Sequence, residues 1–352
     1  MYKTEVLTNF LAKEPIVDEK PIITDEVRNK WKEFDLKNIK SILVVMNQGL
    51  GDHLLILPLL RMLRKKYPSA RIGIFCHKGY SMVYKITKVV DKIIPLGEEK
   101  EDDYELVINL NPPNDKIEEA LHLFSPKIKV GLKTKDRKGY DFLVEDYLVS
   151  RPIHYLNFLR ILNIDADINK MDFRISLKKD FKLIKKFNIN ENNKIISLCV
   201  GSSNPRKCLD PSKYAELAKE LSAEGYEVIL LGKSVFIDEN KKGAAISESS
   251  DKIINLIDKT NLEEVMQIIN ISDLVISNDN GLMHLAAALE RKIIALFGPT
   301  NPIIGGPNSD KTVVLNVTKE NCDKKSLHYC ENISCGRCID KIEVKDILKL
   351  II

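Results

Sequence analysis

Apolar residues in this chain gather in short runs, separated by longer stretches whose apolar positions recur at helical spacing. Ile42–Met46, Ile72–Cys76, Lys92–Pro95, Leu106–Leu110 and Ile128–Val130 are such runs, and their turn-rich flanks give each the form of a buried strand. The helical pattern His53–Tyr67 follows the first run. Pro58 within it predicts a kink or an irregular early turn, because proline lacks the N–H that a helix interior uses. Arg151–Leu162 is a second helical pattern. The plan then repeats: strand Ile195–Val200, polar loop Gly201–Asp210, and helix Pro211–Ala223 with proline in its first turn. Further on, Val228–Leu231, Asp273–Ile276 and Ile293–Phe297 read as strands, and Leu262–Ile271 and Met283–Leu289 as helices. Strands alternating with helices in two successive arrays predict an α/β protein with two Rossmann-like domains and a cleft between them.

These patterns divide the chain into an N-terminal extension (1–38), a first Rossmann-like domain (39–165), a connection (166–193), a second such domain (194–320) and a Cys-rich segment with a C-terminal helix (321–352). Val27, Trp31 and Phe34 fit one face of a short helix, so the extension is expected to pack on the first domain.

Length and charge narrow the function. The 352 residues suffice for two domains that each bury a core. A net charge of +4 is a small imbalance over so many ionised groups, and no arginine-rich or aromatic-interleaved stretch points to nucleic acid. No apolar run approaches the roughly 20 residues of a membrane span, and the N-terminus lacks the apolar core of a secretory signal, so the expected location is cytoplasmic. Cys76, Cys199 and Cys208 are scattered and form no secreted disulfide framework.

Three loops that each join a strand to a helix hold the candidate chemistry. The first, Gly49-Leu50-Gly51-Asp52-His53, fails as a dinucleotide fingerprint: Leu54 stands at the third glycine position, and no acidic residue closes the strand at Cys76. Asp52 is then either a helix N-cap or a carboxylate base at a helix start. In the second loop, Gly201 to Lys207, the hydroxyls of Ser202 and Ser203 and the cations Arg206 and Lys207 suit phosphate oxygens. The third, Asp279-Asn280-Gly281-Leu282-Met283-His284, presents a helix start whose unpaired N–H groups attract anions, or else serves only as an N-cap. A fourth loop carries Lys133, Lys135, Arg137 and Lys138; it reads as a solvated surface loop, or as an acceptor-side patch if the acceptor is phosphorylated.

Taken together, GLGDHLLILPLLRMLRKKYPSARI, GSSNPRKCLDPSKYAELAKELSAEGYEVILLG and SNDNGLMHLAAALERKIIALFGPTNP resemble glycosyltransferase family 9, the ADP-heptose:lipopolysaccharide heptosyltransferases, over roughly residues 40–340. The resemblance implies a GT-B fold and an inverting transfer of heptose from ADP-heptose that needs no metal for catalysis. It places Asp52 at the general base and Lys207 at the donor phosphates. Gly51, Ser202, Ser203, Asp279, Asn280, Gly281, Leu282, Met283 and His284 then fall around the donor. The implied partners are an ADP-heptose-like nucleotide sugar and a lipopolysaccharide core or other envelope glycan or protein, reached from the inner face of the cytoplasmic membrane. The chain departs from the family where Lys207-Cys208-Leu209-Asp210 replaces Lys-Arg-Trp-Pro, where Met46 replaces an arginine, and where Asn280 replaces threonine or serine. Two alternatives stay open: a non-catalytic member that binds nucleotide sugar or oligomerises, and another GT-B enzyme such as a sugar-nucleotide epimerase.

Cys322, Cys330, Cys335 and Cys338 bring four thiols into one short stretch, the ligand count of a tetrahedral structural zinc or iron site, with His328 as a substitute ligand. Reduced, half-buried thiols in a loop are the alternative. The arrangement resembles protein-modifying members of the family, in which an iron-bearing cysteine finger supports homo-oligomers.

Overall fold

The computed structural model describes residues 2–8, 18–135, 137–146, 149–233, 253–319, 329–330 and 336–351. The chain divides into two compact units, Val17–Phe173 and a second formed by Met1–Ile16 with Arg174–Ile352. Strand β1 (Tyr2–Thr8) belongs to the second unit.

The first unit holds β2 (Ser41–Met46), β3 (Arg71–Cys76), β4 (Lys92–Pro95), β5 (Leu106–Asn109), β6 (Ile128–Leu132) and β7 (Phe142–Val144). All pair in parallel in the order β4-β3-β2-β5-β6-β7. This is the 3-2-1-4-5-6 order of a Rossmann sheet. Period-two alternation sends Ile42, Val44 and Met46 to one buried face and Leu43 and Val45 to the other, so both faces are covered. The second unit repeats the order with β8 (Ile195–Cys199), β9 (Glu227–Leu231), β10 (Ile253–Asn255), β11 (Leu274–Asn278), β12 (Lys292–Phe297) and β13 (Thr312–Lys319), arranged β13-β12-β11-β8-β9-β10. In both sheets the order reverses beside the first strand, between β2 and β5 and between β8 and β11. Beyond the carboxyl ends of the strands at such a switch point the flanking loops diverge and leave a crevice for ligand.

One local feature differs from the sequence pattern. Residues 1–38 do not all pack on the first domain: β1 pairs antiparallel with β13, from Tyr2↔Lys319 to Thr8↔Val313, and extends the second sheet. Among its other described residues the extension behaves as expected, with helix Asp25–Glu33 capped by Thr24 and with Val27, Trp31 and Phe34 against the first core. The helical pattern His53–Tyr67 is interrupted early, as Pro58 predicts, and forms two helices, Leu50–Leu55 and Leu57–Lys66. Pro58 lies in the first turn of the second, where its missing N–H costs nothing. At the C-terminus Lys213 Nζ donates to the carbonyls of Asp340 and Ile342, at 2.9 and 2.7 Å, tying the last segment to helix Pro211–Ala223. Among the described residues no helix is long and apolar enough to cross a membrane.

Candidate functional site

In the first unit the loop after β2 leads directly into helix Leu50–Leu55. Its N-cap is Gly49, which has no side chain to donate or accept, so Asp52 is not the cap. Instead the Asp52 carboxylate Oδ1 accepts a 2.6 Å hydrogen bond from the Tyr155 hydroxyl on helix Arg151–Arg160. Burial, with the Asp52 charge and hydrogen bond adding to it, pushes the Tyr155 phenol well above its usual value, so it remains a proton donor. Burial and then the Asp52 charge likewise raise Tyr80. His53, fully buried, sits 2.5 Å from the Tyr84 hydroxyl through Nδ1, and burial lowers its pKa to about 3, so it is neutral. Gly51 is an ordinary early residue of the same helix.

The basic loop of this unit is not uniformly solvated. Lys133 pairs with Glu145 at 2.5 Å, and Lys135 is exposed. Arg137 is buried: its Nη2 meets Glu118 Oε1 at 2.9 Å, its guanidinium lies 4.7 Å from the Tyr140 ring centre, and Tyr140 donates to Glu118. That commitment removes Arg137 from the acceptor-side patch, because losing Glu118 would leave the buried guanidinium without its counter-charge.

In the second unit the loops after β8 and β11 are stitched together. The Ser202 hydroxyl donates to the Asp279 carbonyl at 3.2 Å, Asn280 Nδ2 donates to the Gly201 carbonyl at 2.5 Å, and the Leu209 N–H donates to Asn278 Oδ1 at 3.2 Å. Lys207 closes a single tight turn, Pro205–Lys207, capped by Asn204, and its Nζ lies 2.8 Å from Asp279 Oδ2. Ser203 is exposed at the rim. Helix Gly281–Ala288 starts where the sequence predicts, and its N-cap Asn280 already accepts from the N–H groups of Leu282 and Met283, at 2.8 and 3.1 Å. Phosphate oxygens could use those two groups only by displacing the cap. Met283 and His284 are buried, and Gly281 and Leu282 partly so.

The Cys-rich segment reaches this same loop. Asn204 Nδ2 donates to the Tyr329 hydroxyl at 2.9 Å, Arg206 lies 5.2 Å from the Tyr329 ring centre and donates to the Cys330 carbonyl, and Arg337 donates to the Cys208 carbonyl at 2.8 Å. Beside them, a Cβ built on Gly298 would fall 2.7 Å from Ile339 Cβ, so the segment docks there only because residue 298 is glycine. Cys330 and Cys338 are both buried; Cys322, Cys335 and His328 lie outside the described residues. Among the described residues no cluster of three metal-ligating side chains occurs. The braces Tyr155, Tyr329 and Arg337 were not legible as site residues, since each acts on a loop far away in sequence.

Two sheets of Rossmann order in one chain, each with a polar loop after its first strand, give the GT-B class of fold. The chain belongs to glycosyltransferase family 9 (heptosyltransferase), whose profile matches residues 99–333, and it is a glycosyltransferase; the epimerase alternative falls with that assignment. It is 28% identical over 315 residues to lipooligosaccharide heptosyltransferase 2 of Haemophilus influenzae, covering 79% of this chain and 88% of that protein. Among solved structures it resembles the E. coli ADP-heptose lps heptosyltransferase II, with a TM-score of 0.71 at 23% identity over 88% of this chain and 97% of that one. It also resembles a glycosyl transferase family 9 protein from Veillonella parvula, with a TM-score of 0.72 at 20% identity over 89% and 96% of the two chains. A looser match, TM-score 0.59 at 14% identity over 90% and 76%, is to the bacterial iron-containing dodecameric glycosyltransferase TibC from enterotoxigenic E. coli. These structural likenesses concern the fold.

Proposed function

We propose that the protein transfers heptose, or a closely related sugar, with inversion from an ADP-linked donor to an acceptor of the cell envelope, a lipopolysaccharide core or another glycan or protein. The observation that carries this reading is the Lys207–Asp279 pair, held at 2.8 Å at the carboxyl ends of β8 and β11. A cation so placed can exchange its carboxylate partner for diphosphate oxygens and stabilise the charge gathered by departing ADP. Asp52, on the other unit, takes the proton of the attacking acceptor hydroxyl. The lipooligosaccharide heptosyltransferase named above supports a lipid-linked acceptor, and with it the proposal includes a working position at the inner face of the cytoplasmic membrane.

The proposal extends to one structural zinc or iron held by Cys322, Cys330, Cys335 and Cys338. Its support is the burial of the two described thiols and the iron-containing relative among the fold neighbours. Such a metal would fix the segment that braces the Lys207 turn, and the same segment is the candidate contact between copies of the chain. Metal analysis of purified protein tests it; a stoichiometry near zero without chelator treatment rejects the site.

The transfer itself is tested by offering ADP-, GDP- and UDP-sugars with an envelope extract and following products by mass spectrometry. The expected result is release of ADP and a heptose mass added to the acceptor. Turnover with only GDP- or UDP-sugars would overturn the donor assignment, and ADP binding without any product would overturn turnover.

A further inference from the structure

Asp52 can serve as a base only if one carboxylate oxygen faces the acceptor with a lone pair free. A carboxylate at a helix start turns easily about its last torsion and exposes either oxygen to water. In this protein that freedom is removed. The Tyr155 hydroxyl, 2.6 Å from Oδ1, lies in the range of a short charge-assisted bond. The tyrosine is buried, packed edge-on against His154 with ring centres 5.7 Å apart, and cannot swing aside to release the carboxylate. Among the described residues Oδ2 accepts no hydrogen bond, and the Asp52 side chain is only partly covered.

Resting on the reading of Asp52 as the general base, we infer that Tyr155 is a positioning residue that binds Oδ1 and so assigns proton abstraction to Oδ2. In the transfer step the acceptor O–H bond breaks and its proton passes to Oδ2. The oxygen's electron pair forms the new bond to the anomeric carbon, and the bond from that carbon to the phosphate oxygen breaks, its pair leaving with ADP. Tyr155 keeps its proton throughout.

The surroundings leave few other groups to set the pH dependence. On Asp52's own helix His53 is neutral down to about pH 3. From the stretch 78–87 the phenols of Tyr80 and Tyr84 face it, both raised first by burial and then by other charges including that of Asp52. From helix Arg151–Arg160 come Tyr155 and the Arg151 charge. A hydrogen bond donated to an ionised carboxylate favours that form, so its removal moves the acidic limb of the rate profile to higher pH.

The test compares Tyr155→Phe with Asp52→Asn in the full-length protein. The phenylalanine variant is expected to lose about 10- to 100-fold in kcat through misorientation. Its donor KM and its calorimetric ADP affinity should stay unchanged, and its acidic limb should move upward. Wild-type kcat with an unmoved limb overturns the inference. If Tyr155→Phe does not fold, fluorotyrosine placed at residue 155, a stronger donor of nearly the same shape, should move the limb to lower pH; an unmoved limb again overturns it. If Asp52→Asn keeps full turnover, the base assignment itself falls and takes the role of Tyr155 with it. An inactive Asp52→Asn beside a normal Tyr155→Phe removes the positioning role alone.

Discussion

The two sheets share one strand order, yet the loops at their first strands are built in opposite ways. After β2 the chain enters a helix at once, and the one charged group there, Asp52, is fixed by an uncharged donor in a wall of tyrosines and a neutral histidine. After β8 the chain takes a longer path before its helix begins. Its charged group, Lys207, is held by a partly exposed ion pair and by long-range ties to the loop after β11 and to the Cys-rich segment. A base needs one orientation and little competing charge. A phosphate contact needs a cation that can change partners, and such a cation tolerates water. The same topology therefore carries a carboxylate fixed by a neutral hydroxyl on one unit and a cation held in an exchangeable ion pair on the other.

The sharpest way to break this comparison is to remove each charge. Asp52→Asn is expected to lower kcat by about 10²- to 10⁴-fold, the usual worth of a positioned base, while calorimetric ADP affinity stays at the wild-type value. Lys207→Ala should lower both. Equal loss of ADP affinity in the two variants would mean that the division of labour between the units is wrong.

A second test uses the burial of His53, the neighbour of Asp52 on the same helix. His53 titrates at 6.5 when unfolded and near 3 when folded, because burial disfavours its charged form. The unfolded chain therefore binds a proton as pH falls through 6.5, while the folded chain does not until about 3. The stabilising contribution is complete above 6.5 and is lost progressively down to 3, on the order of a few kcal/mol in total. Urea midpoints measured across that window should fall with pH in the wild type and fall less steeply in His53→Gln. Parallel curves would show that His53 is hydrated.

The smallest expected effect is at the brace of the second unit. Gly298→Ala puts a methyl group 2.7 Å from Ile339 Cβ and should cost about 1–3 kcal/mol of stability by overpacking. It should also weaken ADP binding severalfold, because the segment that shifts is the one tied to Arg206 and Cys208. A lowered melting temperature with unchanged ADP affinity would separate the brace from the donor loop.

Much of this was open to the sequence because it is local. Buried parallel strands read as apolar runs, polar loops mark their ends, and Gly281 to Ala288 announces its helix through Asn280. Those signals place Asp52, Lys207 and Asp279 after strands, and their order along the chain carries the family resemblance. Strand β1 is not legible in the sequence because Lys3 and Glu5 break up its apolar positions; β13 lacks a continuous apolar run too, interrupted by Asn316 and Thr318. Arg137 looked like a solvated cation because its counter-charge, Glu118, lies on another element.

What the sequence determined by itself is the alternation of strand and helix, the three loops and the kinds of side chain they present. The tertiary structure alone decided how those side chains are used. It gave Asp52 to Tyr155 rather than to a helix cap, withdrew Arg137 into an ion pair, and set the Cys-rich segment against the turn that carries Lys207. Local propensity depends on neighbours a few residues away, whereas the partner that fixes a charge is chosen by packing between elements far apart in the chain.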